Sequence, residues 1–79
     1  MRKRLFRSQK SFVEIEKCSG PIVSPASLNY YVCYIKDCYV DSHGNYYCRD
    51  FICFEFASET ELSEFYDAQI NLYSSFGWK

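Results

Sequence analysis

The sequence predicts an α+β domain: an antiparallel three-stranded sheet in β-β-β-α order, with a C-terminal helix packed on one face. Three observations predict it. Residues Phe12 to Lys17 alternate apolar and charged side chains. Residues 28–57 hold two runs rich in Tyr, Phe, Val and Ile around a turn signal. Residues 59–73 repeat apolar side chains at helical spacing. At 79 residues the chain is a single domain, 1–79. Aromatic residues make up 20% of it, more rings than so small a core can hide.

The first ten residues carry Arg2, Lys3, Arg4, Arg7 and Lys10 and no acid, a charge of +5. The four bases left in residues 11–79 face ten acids, so the body carries −6. An acidic body disfavours direct nucleic-acid binding, because phosphate contacts need positive charge. It suits a partner protein with a basic surface. The basic start is read as an arm or the beginning of a strand. It resembles the charged region of a signal peptide, but no apolar run follows it, and no stretch approaches a membrane span. The expected compartment is the cytosol, where the five cysteines would be thiols.

The first strand covers Phe12–Lys17 and could begin as early as Leu5. Residues Ser19 to Ser27 contain both prolines and a glycine and read as a connecting loop. The hairpin spans residues 28–57. Its turn is Asp41-Ser42-His43-Gly44-Asn45, in which Asp opens a type I turn and Gly supplies the left-handed residue. That turn sets Asp41 opposite Asn45. The register then gives Val40 with Tyr46, Tyr39 with Tyr47, Cys38 with Cys48, Asp37 with Arg49, Lys36 with Asp50, Ile35 with Phe51, Cys33 with Cys53 and Val32 with Phe54. Two of these are opposite-charge pairs, which supports the alignment. Residues of one parity share a face. The even face, with Tyr30, Val32, Tyr34, Cys38, Val40, Cys48, Ile52, Phe54 and Phe56, is the more apolar and is the expected core side. In the helix, Ser58 and Glu61 form a capping box, Leu62, Phe65, Tyr66, Ile70 and Tyr73 form the buried stripe, and Gly77 lies just past the end.

No cofactor or enzymatic activity is expected. Cys33, Cys38, His43, Cys48 and Cys53 recur every five residues. Zinc sites usually present ligands two to four residues apart on a tight turn, and a spacing of five alternates faces of a strand. A structural zinc module is therefore only an alternative reading. Cys38 and Cys48 are close enough for a bridge, although two thiols packed as small hydrophobes are expected in a reducing compartment. His43 reads as a solvated turn residue. No Gly-rich phosphate loop or Ser/His/Asp set is present.

The candidate binding surface is the odd face: Tyr31, Ile35, Asp37, Tyr39, Tyr47, Phe51 and Glu55. Tyrosines ringed by charge match the make-up of interface hot spots. The other reading is that the N-terminal arm or the 19–27 loop covers this face. The acids Glu61, Glu64 and Asp67 form a secondary face, either solvated or presented to a basic groove. The arm Arg2–Lys10 could lead a nucleic-acid-binding module, a further alternative.

The opening Leu28-Asn29-Tyr30, the hairpin after it, and Phe56-Ala57-Ser58-Glu59-Thr60-Glu61-Leu62 at the helix start resemble the small phage-encoded anti-CRISPR proteins, in particular a type I-F inhibitor. The resemblance implies a non-enzymatic inhibitor acting in the host cytosol. Its partner would be a CRISPR-associated protein or complex, whose nucleic-acid-binding surface it covers. No site residue is carried over from that family, and the basic arm and the cysteines have no counterpart in it.

Overall fold

The alternation of β2 decides the architecture. The computed structural model describes residues 1–21 and 29–79. Within them, β1 (Arg2–Phe6), β2 (Ser11–Pro21), β3 (Asn29–Val40) and β4 (Tyr46–Glu55) form one antiparallel sheet in the order β1-β2-β3-β4, followed by α1 (Glu59–Ser75). The sheet thus has four strands, not three. The basic start is itself an edge strand, pairing Leu5 with Val13 and Arg4 with Glu14. The bend at Arg7–Lys10 that separates it from β2 contains no Gly, Pro, Asn or Asp, so no turn signal marks it. Ser19–Pro21, expected as loop, continue β2. The rest of the expected loop, and Leu28, lie outside the described residues.

In β2, Val13 and Ile15 point to one side and Glu14 and Glu16 to the other. Pairing Ile15 with Ile35 and Lys17 with Cys33 makes the odd residues of β3 the core side. The helix covers that side: Leu5, Val13, Ile15, Cys33, Leu62 and Tyr66 are buried together, with Tyr31, Ile35, Phe56, Phe65, Ile70, Tyr73 and Trp78 packed around them. This corrects the expectation that the even face is the core. Apolar content within the hairpin favoured the even face. The partner strand overrode it, because Glu14 and Glu16 cannot sit beneath a helix.

Those carboxylates organise the open face instead. Glu14 is only 4% exposed. Its Oε1 accepts from Arg4 Nε at 2.9 Å and lies 3.7 Å from Arg2 Nε, and its Oε2 lies 3.5 Å from Lys36 Nζ. Lys36 Nζ also donates to Glu16 Oε1 at 3.0 Å. Burial works against the charge on Lys36, but Glu16 and Glu14 hold its pKa above the ordinary lysine value. Beside this network a second, smaller cluster buries Phe12 and Cys38. Phe6 stacks on Phe12 with ring centres 4.7 Å apart, and Tyr46 adds a third ring at 5.2 Å from Phe12.

Both helix ends are closed by their own residues. Ser58 Oγ accepts from the Glu61 N–H at 3.3 Å, and Glu61 Oε2 accepts in return from the Ala57 N–H at 3.1 Å. At the other end Gly77 adopts φ +86°. The Gly77 N–H donates to the Ser74 carbonyl and the Trp78 N–H to the Tyr73 carbonyl, a Schellman closure. The Trp78 ring packs 5.1 Å from Tyr73, and the Lys79 N–H donates to the Phe6 carbonyl at 3.0 Å, tying the tail to β1.

Candidate interaction surface

The hairpin turn forms as its residues dictate. Gly44 takes φ +82°, and Asp41 Oδ1 accepts from the N–H groups of His43 and Asn45, each at 2.8 Å. The bonds from Asn45 and His43 hold the Asp41 carboxyl below its usual pKa. From this turn Val40 pairs with Tyr46, Tyr39 with Tyr47 and Cys38 with Cys48. There the predicted register stops. A bulge between Asp37 and Cys38 leaves Arg49 as an extra residue of β4. Beyond it Asp37 faces Asp50, Lys36 faces Phe51, Ile35 faces Ile52, Cys33 faces Phe54 and Val32 faces Glu55. Arg49 still reaches Asp37, with Nε 3.2 Å from Oδ2. The expected Lys36–Asp50 pair does not form, because Lys36 is engaged by Glu14 and Glu16.

The bulge also reverses the parity of β4. Ile52 and Phe54 join the odd residues of β3 on the helix side, where Phe54 packs 4.8 Å from Phe65. Phe51, Cys53 and Glu55 turn to the open side. The predicted odd face is therefore divided. Tyr31 and Ile35 are half-buried against the core under the helix. Tyr39 and Tyr47 stack at 5.6 Å near the hairpin tip, outside the core cluster. Arg49 lies 5.1 Å over the Tyr39 ring. Tyr47 is 46% exposed and Asp37 is exposed. Phe51 and Glu55 are exposed on the opposite face. Glu61, Glu64 and Asp67 are exposed on α1.

The hairpin gathers residues that sequence reasoning missed. On the helix side a groove of about 280 Å³ lies over Val13 and Ile35, walled by Ile52, Tyr73 and Trp78, with Asp37 and Asp50 at its rim. On the open side a second apolar hollow is lined by Tyr34, Lys36, Cys48 and Phe51. β4 contributes to both, and Phe51 and Ile52 are 60% and 59% exposed. No residue type marks a bulge without glycine. The one sequence signal is that Arg49 and Asp50 interrupt an otherwise apolar strand.

The cysteines are not gathered into one site. Cys38 and Cys48 form a disulfide across a non-hydrogen-bonded pair, with Cα atoms 4.0 Å apart. This replaces the expected pair of packed thiols, since close backbone approach sets the two sulfurs together. Cys33 is buried under the helix, while Cys53, displaced by the bulge, faces the open side. Burial, with Cys18 and Cys53 nearby, raises the Cys33 thiol to about 11. Among the described residues, no cluster of three or more His, Cys, Asp or Glu side chains could hold a metal ion, and no helix is long and apolar enough to cross a membrane. No known protein family, curated protein or solved structure matches the chain.

Proposed function

We propose that this chain is a non-catalytic protein-binding domain whose β3–β4 hairpin docks on a basic surface of a host protein. In the form implied by the anti-CRISPR resemblance, it is an inhibitor that covers the nucleic-acid-binding surface of a CRISPR-associated complex. The observation that carries the reading is the exposure of Tyr46, Tyr47, Phe51 and Ile52 on one strand, in a chain whose body is otherwise acidic. Tyr39 and Tyr47 are the anchors at the tip, and Asp37 and Asp50 supply the charge for a basic partner.

Two observations weigh against the alternatives. Arg2 and Arg4 of the supposed nucleic-acid-binding arm are strand residues engaged by Glu14. Two of the five candidate zinc ligands are joined to each other.

The test is a bandshift in which the purified chain competes with nucleic acid for a CRISPR effector complex. Loss of nucleic-acid binding is expected. Tyr39→Ala should leave folding intact and weaken binding by more than about 1 kcal/mol. Unchanged affinity of that variant would remove the hairpin tip from the interface.

A further inference from the structure

Among the described residues, the outer edge of β4 is open from Phe51 to Glu55. The Phe56 N–H donates to the Tyr31 carbonyl. By antiparallel alternation, the main-chain groups of Phe51, Cys53 and Glu55 therefore point away from β3. β4 ends the sheet, so among the described residues no strand meets them. One of them is already occupied: the Phe51 N–H donates to Asp50 Oδ1 at 2.8 Å.

The chemistry around this edge is one-sided. Asp50 faces Asp37 across the ladder, and the nearby Arg49 is taken by Asp37. No salt bridge to Asp50 forms among the described residues. Glu55 is exposed at the far end of the strand. No lysine or arginine occurs between Arg49 and Lys79. The helix side of the edge thus offers Asp50 beside Ile52 and Phe54, and the open side offers Phe51 and Cys53, with Glu55 at its far end.

We infer that this edge takes an extended segment of a partner protein as a fifth strand, and that the segment alternates basic and apolar side chains. Its basic residues lie on the helix side against Asp50, and its apolar residues lie on the open side against Phe51 and Cys53. Main-chain pairing supplies affinity and the two faces supply selectivity, as in strand addition elsewhere. A second copy of this chain is a poor occupant. Residues 50–55 contain two acids and no base, so a copy of β4 brings net negative charge to an edge that is already negative. The inference rests on the protein-binding reading above and names the partner's chemistry.

The probe is an eight-residue capped peptide alternating lysine and valine, followed by amide hydrogen exchange on the full chain. Expected is protection of the Cys53 and Glu55 amides by about tenfold or more at saturating peptide. A glutamate–valine peptide should give none, and neither should a lysine–valine peptide N-methylated at alternate residues. Asp50→Lys should weaken the lysine–valine peptide by about fivefold or more. Protection elsewhere, no protection at millimolar peptide, or equal binding of the N-methylated peptide overturns the inference. So does a dimer by sedimentation that protects the same amides, since the occupant is then a second copy. If the peptides fail while Tyr39→Ala still weakens inhibition, the edge proposal falls and the protein-binding reading stands.

Discussion

β1 and β4 both end the sheet, and they are finished in opposite ways. β1 carries Arg2, Lys3 and Arg4, two of which close over the buried Glu14, and its far end is tied to the tail through Lys79. Charge of this kind blocks a sheet edge against further pairing. β4 carries apolar side chains on both faces and has a single interruption, the bulge at Arg49. The helix contacts β1, β2 and β3 far more than it contacts β4. One edge is closed by charge and by the chain's own tail, and the other is apolar and open among the described residues.

The largest expected effect separates the two regions by stability. Leu62→Ala removes a fully buried side chain at the centre of the core and should cost about 2–5 kcal/mol in urea unfolding. That is a large share of the roughly 4–12 kcal/mol expected for a domain of this length. Phe51→Ala should cost less than about 0.5 kcal/mol, as expected where little surface is buried. Equal losses at the two positions would break the comparison.

Next comes the charge network. Glu14→Gln removes the central negative charge shared by Arg2, Arg4 and Lys36. The expected cost is about 1–3 kcal/mol, toward the lower figure because the arginines are more than a third exposed. The cost should grow at low salt, where the three cations repel one another with less screening. A variant as stable as the parent at every salt concentration would show that β1 is held by backbone pairing alone.

The legible part of this fold was whatever a residue type determines locally. Asp41 and Gly44 fixed the turn, Ser58 and Glu61 fixed the helix start, and Gly77 fixed its end. What was not legible depends on pairing between segments distant in sequence. The core face of β3 is set by Ile15 and Glu14 in β2, so counting apolar residues within the hairpin picked the wrong side. The bulge at Arg49 has no glycine to announce it, and it moved Phe51 and Ile52 to faces opposite those the turn implied. The candidate site was half legible for the same reason. Tyr39, Tyr47 and Asp37 lie on the turn side of the bulge or at it, where the predicted register or ion pair holds. Tyr31 and Ile35 lie beyond it and belong to the core.

A third test uses the thiols, which sample the covered and uncovered regions directly. At neutral pH an alkylating reagent should modify the exposed Cys53 readily, while Cys33 should stay unmodified until the domain unfolds. The pH dependence has a definite sign. Cys33 has its folded pKa raised from 9.0 to about 11, so its contribution is full below pH 9 and is lost as pH rises toward 11. Cys33→Ala should therefore show a shallower loss of stability over that interval than the parent, measured by thermal melting at each pH. Identical slopes would mean that the thiol ionises as freely in the folded chain as in the unfolded one.

The smallest effect is also the one with opposite signs in two measurements. Asp50 faces Asp37 across β3 and β4, and like charges directly opposed weaken a ladder by a few tenths of a kcal/mol to about 1 kcal/mol. Asp50→Asn relieves that repulsion. It also keeps an amide oxygen to accept from the Phe51 N–H, so the local edge geometry is retained. The melting temperature should rise slightly. The same change removes a negative charge from the groove rim and should reduce affinity for a basic partner. Greater stability with weaker binding is the signature of a charge held in place for a ligand at some cost to the fold. A variant that is no more stable, and binds a cationic partner as well as the parent, would make the acidic rim of β4 an ordinary solvated edge.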